Sequence, residues 1–97
     1  MKAKVHTYKT VEEFGRALGL SDLEIELIRQ KKKVIEKLRK AREHKRISQA
    51  EIAAMVNTKQ PAIARMESGQ ISEVSFDFLC KVALALEVSI TIRPYAA

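Results

Sequence analysis

Apolar positions recur at helical spacing along most of the chain, and the breaks between them mark out five helices. Residues 11–18 predict a short helix, capped by Thr10, with Glu12 and Glu13 in its first turn and Gly19 to stop it. A longer helix follows Ser21, carries Ile25, Ile28, Ile35 and Leu38 on one face and reaches about His44. Ser48 then opens a third helix, because its hydroxyl can accept from an orphan backbone N–H while Glu51, three residues on, completes a capping box. Ile52, Ala53 and Val56 share a face of that helix, and Ala53 is small enough to let another helix cross closely. Asn57 falls where the chain must turn, and it tolerates the left-handed conformation better than any residue but glycine. Thr58 is expected to cap the fourth helix, Pro61 sits in its first turn, Ile63 and Met66 point inward, and Gly69 ends it. A fifth helix spans 76–86 behind Ser75 or Ser72, with Phe76, Leu79, Val82, Ala83 and Leu86 as its buried stripe.

The end of the chain changes period. Val88, Ser89, Ile90, Thr91, Ile92 and Arg93 alternate apolar with polar, a strand signature that Pro94 terminates. A lone strand leaves its backbone unpaired, so it needs residues 5–8, the sheet edge of a partner, or its own copy in a second subunit. Self-pairing is favoured, with Val88, Ile90 and Ile92 in the dimer contact. The expected architecture is all-α with a short C-terminal β-strand, in one domain over 1–97: an extension and acidic helix in 1–30, a core in 31–87 and the strand in 88–94.

Charge sharpens this picture because it is segregated. The chain carries a net +6, yet residues 29–46 hold ten Lys or Arg against Glu36 and Glu43 alone, whereas 11–28 holds five acids against Arg16. A basic run is often only a solvated helix face. Placed directly before two helices joined by a tight turn, it favours contact with phosphates, through Lys45 and Arg46 in particular. The outward side of the fourth helix offers Lys59, Gln60, Ala62 and Arg65, a set able to enter a major groove.

Other chemistry lacks its parts. His6 and His44 have no acid or nucleophile arranged around them, no Cys–His spacing suits a metal, and no glycine-rich phosphate loop occurs, so neither an enzyme nor a cofactor is expected. Cys80 stands alone among Phe78, Leu79, Val82 and Ala83 and is expected to pack as a small apolar group. Phe14, Phe76 and Phe78 fall on apolar faces and read as core. With no long apolar run and no signal-like start, a cytoplasmic location is expected. At 97 residues, sharing apolar surface in a dimer would supplement a small core.

The Ser-Gln-Ala-Glu-Ile-Ala opening at 48–53, the turn at Asn57, Thr-Lys-Gln at 58–60 and Arg-Met-Glu-Ser-Gly at 65–69 together resemble the phage-repressor and Cro type of helix-turn-helix domain, the XRE family, over roughly 34–88. The resemblance implies a DNA-binding regulator whose recognition helix begins near Thr58. It implies a phosphate contact from Gln49, an adenine-reading role for Gln60, and an internal ion pair between Arg42 and Glu67. Two departures are visible. Asn57 stands where the family favours glycine, and Pro61 removes a side chain that could touch bases, leaving specificity to Gln60 and Arg65.

A wider resemblance, carried by residues 12–29 and Gln-Pro-Ala-Ile-Ala-Arg-Met-Glu at 60–67, is to the small HigA-type antitoxins of bacterial toxin–antitoxin operons. It implies a homodimer that represses its own operon at a palindromic double-stranded operator and neutralises a HigB/RelE-like mRNA-cleaving toxin. The alternative is a stand-alone phage-type regulator. The acidic N-terminal third separates the two, since it invites a basic partner, although it could equally widen the core or the dimer contact.

Overall fold

The computed structural model describes residues 13, 16, 17, 19, 21–69 and 74–91, and among these the fold is four helices. Ser21 starts the longest, α1 (Asp22–His44), through a reciprocal pair of bonds: its hydroxyl accepts from the Glu24 N–H at 3.2 Å, and the Glu24 carboxylate accepts from the Ser21 N–H at 3.3 Å. The same device opens α2 (Gln49–Met55), where the Glu51 N–H donates to the Ser48 hydroxyl at 3.0 Å and the Ser48 N–H donates to Glu51 at 2.9 Å. Bonds from the Ser48 backbone, then from its hydroxyl, hold the Glu51 carboxyl below its ordinary value.

Two helices follow, α3 (Gln60–Glu67) and α4 (Phe76–Leu86). α2 packs on α3, α4 lies along α1, and contacts from α1 to α3 and from α2 to α4 close the bundle. The core is deeply buried: Leu38, Ile52, Ile63, Met66, Leu79 and Leu86 each keep 1% or less of their surface exposed. Burying one such side chain stabilises by about 1.5–3 kcal/mol, so these apolar stripes orient the helices.

The structure departs from the sequence expectations at several points. The helix expected over 11–18 falls largely outside the described residues, of which Glu13, Arg16 and Ala17 are helical. Thr58 does not cap α3. Thr58 sits in the turn, where its N–H donates to Ala53 O at 2.8 Å, and α3 begins one residue later than expected, with Lys59 at the N-cap position in extended backbone and without a side-chain cap bond. Phe76 leaves the buried stripe of α4, with 38% of its surface exposed at the first position of the helix. No strand forms over Val88–Thr91, and Ile92 to Pro94 lie outside the described residues. Val88 and Ile90 instead turn onto the core from irregular chain, while the Ser89 carbonyl accepts from Lys37 Nζ at 2.6 Å, so that group bonds a lysine of α1 in place of a neighbouring strand.

Helix ends share one pattern. After α1, α2 and α4 a non-glycine residue turns left-handed, namely Arg46 (φ 58), Asn57 (φ 58) and Glu87 (φ 57). In each case the next N–H bonds back to the last turn: Ile47 to Arg42 O at 3.1 Å, Thr58 to Ala53 O at 2.8 Å, Val88 to Ala83 O at 2.9 Å. A left-handed L-residue costs roughly 1–2 kcal/mol, least for asparagine. Asn57→Ala should therefore lower unfolding free energy by about 1 kcal/mol in urea titration, and Asn57→Gly should match or exceed the parent. Equal stability of the alanine variant would show that the turn carries no such strain.

Candidate nucleic-acid interface

Ala53, buried at the centre of α2, leaves room for α3 to cross close by, and the Asn57 turn then delivers the start of α3 to the surface. Lys59, Gln60 and Arg65 are exposed there, with Ala62 half-buried between them. Thr58, Ala62 and Arg65 share an open cleft with Val74, Ser75 and Phe78, which sets the outward side of α3 against the start of α4. Lys45 and Arg46 stand exposed in the turn between α1 and α2.

A chain of side-chain hydrogen bonds runs inward from the first residue of α3. Gln60 Nε2 donates to Gln49 Oε1 at 2.7 Å, and Gln49 Nε2 donates in turn to Glu67 Oε1 at 2.9 Å. Glu67 also receives both prongs of Arg42, Nε at 2.7 Å on Oε2 and Nη2 at 2.9 Å on Oε1. Arg42 completes the series by donating Nη1 to Ile47 O at 2.8 Å. The ion pair is shielded, with side-chain exposure of 13% for Arg42 and 6% for Glu67. The Glu67 hydrogen bond holds the Arg42 guanidinium above its ordinary pKa despite the opposing cost of burial. One carboxylate thus ties the end of α1, the first residue of α2 and the last residue of α3.

A helix-turn-helix family model matches residues 38–92, more than half of the chain. The chain belongs to the XRE-type helix-turn-helix family. It is therefore a DNA-binding transcriptional regulator by family, and the match takes in both α2 and α3 with the tight turn that joins them. No curated protein and no solved structure matches the chain. Among the described residues of this helix-turn-helix protein, no helix is long and apolar enough to cross a membrane and no group of His, Cys, Asp and Glu could hold a metal ion.

Some of the arrangement escaped sequence reasoning. Gln49 bridges Gln60 and Glu67 inside the protein, a role that no local spacing announces, although glutamines heading both helices of the motif are the visible trace. Two lysines of the basic run are fastened to backbone carbonyls, Lys31 to Val74 O at 2.8 Å and Lys37 to Ser89 O at 2.6 Å. Of the remaining basic residues, Lys40 pairs with Glu36 at 3.4 Å.

Removing one member of a shielded ion pair leaves the other charge uncompensated, at about 3–5 kcal/mol. Glu67→Ala and Arg42→Ala should each lower unfolding free energy by that order, and the double variant by clearly less than their sum. Additive losses would mean that the two side chains act independently.

Proposed function

We propose that this protein is a sequence-specific repressor that reads a palindromic operator as a homodimer, autoregulates its operon, and serves as antitoxin to a HigB/RelE-like mRNA-cleaving toxin. The observation that carries the DNA reading is the tether from Gln49 to Gln60. Gln60 is exposed at the start of α3, yet its amide is already oriented, so less rotamer freedom is lost when it meets a base. The bond to Gln49 uses one N–H, and the amide retains a second N–H and a carbonyl, the donor and acceptor that adenine N7 and N6 require. Ala62 and Arg65 flank it on the same helix and complete the groove contact. Gln49 beside Gln60, together with Thr58, Lys59, Lys45 and Arg46, takes the phosphates, fixing register without carrying sequence information.

The antitoxin reading draws on the other end of α1. Leu23 and Leu27 are 80% and 48% exposed, one helical turn apart, among Asp22, Glu24 and Glu26. An apolar strip in an acidic setting suits a basic partner such as an RNA-cleaving enzyme.

Fluorescence anisotropy against a duplex from the upstream region of the gene and a scrambled duplex, at two salt concentrations, tests the first part. Gln60→Ala should cost about 1–3 kcal/mol on the operator and almost nothing on the scrambled duplex. Lys45→Ala or Lys59→Ala should weaken both alike and flatten the salt slope by about one unit each. Equal losses on both duplexes for Gln60→Ala would defeat its assignment. For the second part, coexpression with the product of an adjacent reading frame should relieve growth arrest, and Leu23→Asp/Leu27→Asp should abolish that relief. Absence of a neighbouring basic protein would leave the stand-alone regulator.

A further inference from the structure

A hydrogen bond has a direction, and Glu67 sets the direction of the two amide bonds that lead from it to the surface. Its carboxylate, paired with Arg42, accepts and cannot donate, so Gln49 has to turn its NH2 inward, where Nε2 lies 2.9 Å from Glu67 Oε1. That leaves Gln49 Oε1 toward Gln60. A carbonyl oxygen accepts only, so Gln60 in turn presents its own NH2, with Nε2 at 2.7 Å. An isolated amide can be turned end for end at little cost. Here both amides are ordered by one carboxylate at the far end of α3.

The consequence lies in what Gln60 has left to offer. One of its N–H groups is committed to Gln49, while its second N–H and its carbonyl have no partner among the described residues. Gln60 therefore shows one donor and one acceptor in a fixed order. Adenine matches that edge, because its N7 accepts and its N6 donates. Guanine presents two acceptors, N7 and O6, and would set O6 against the Gln60 carbonyl. A glutamine released from Gln49 has both N–H groups for those two acceptors and loses the distinction.

We infer that Gln49 and Glu67 are positioning residues for base discrimination: by holding one N–H of Gln60 they make that side chain select adenine and reject guanine. Neither has to touch the base. The selectivity rests on Gln60 being the base contact proposed above.

Anisotropy titrations of the full chain measure this choice, using the upstream duplex with each base pair in turn at the position where Gln60→Ala loses its preference. The parent protein should favour adenine over guanine there by about tenfold or more. Gln49→Leu keeps the Arg42 and Glu67 pair whole and removes the acceptor. It should narrow the ratio to within about threefold while both pyrimidines stay disfavoured. Glu67→Gln can donate as well as accept, which frees both amides to turn over, and it should narrow the ratio likewise. Gln49→Glu/Glu67→Gln puts an acceptor-only group directly against Gln60 and should restore it. All duplexes meet the same folded fraction, so a variant's lost stability, or a lost phosphate contact of Gln49, cancels from the ratio. An adenine preference that needs Gln60 yet survives Gln49→Leu would overturn the inference and leave Gln60 as the reader. So would a preference lost among all four bases alike, or an exchanged pair that stays unselective. A parent protein with no preference dependent on Gln60 would defeat the base reading itself, and this selectivity with it.

Discussion

The Glu67 side chain is buried with three donors on its carboxylate, two on Oε1 and one on Oε2. Two prongs of Arg42 and the amide of Gln49 converge on it, and Arg42 spends its remaining arm on the Ile47 carbonyl. A carboxylate with 6% side-chain exposure would otherwise carry a desolvation penalty of several kcal/mol, so the geometry of three helix ends is constrained to satisfy it. The consequence reaches the surface. Gln49 is fixed by Glu67, Gln60 is fixed by Gln49, and the first side chain of α3 is therefore aimed by a charge pair lying at the opposite end of that helix.

Helix termination adds a second constraint. α1, α2 and α4 all end by bending one L-residue into the left-handed region so that the following N–H can return to the last turn. Such an ending brings the chain back across its own helix within two residues, which is why α1, α2 and α3 follow one another with very short connections. At Asn57 the strain is mild. At Arg46 it is larger, and the side chain it carries is one of the exposed cations beside the motif, so the tight turn between α1 and α2 also sets where that charge stands.

Local signals were legible in the sequence and distant ones were not. The Ser48 and Glu51 box could be read because both of its bonds span three residues, and Asn57 because its left-handed preference is intrinsic. Arg46 and Glu87 gave no such signal, since nothing in an arginine or a glutamate favours that conformation. The alternation of Val88, Ser89, Ile90 and Thr91 was read as a strand for a sound reason that did not suffice: apolar residues do face inward and polar ones outward, but from irregular chain lying on the core. Thr58 looked like a cap by residue type, yet it lies one residue before the N-cap position, which Lys59 takes. Contacts such as Arg42 to Glu67, 25 residues apart, or Lys37 to Ser89, 52 apart, follow from packing alone, and only a family resemblance could suggest the first of them.

α1 gathers these threads into one element with two chemistries. Its first turns carry Asp22, Glu24 and Glu26 beside exposed Leu23 and Leu27, while its last turns carry Arg39, Lys40 and Arg42. Acids at the start and bases at the end both suit the helix dipole, so the segregation of charge stabilises the helix whatever else it does. The same segregation leaves the basic end next to the helix-turn-helix motif and the acidic end most of a helix length away, roughly 25 Å at 1.5 Å per residue. At ~0.15 M salt the field of either end fades within about 8 Å, so a basic protein engaging the acidic end and a DNA backbone engaging the basic end would scarcely sense each other through charge. Coupling between the two would have to pass through packing, and the buried face of α1, from Val34 and Ile35 through Leu38, is the part of that helix seated directly on the core shared with α3 and α4.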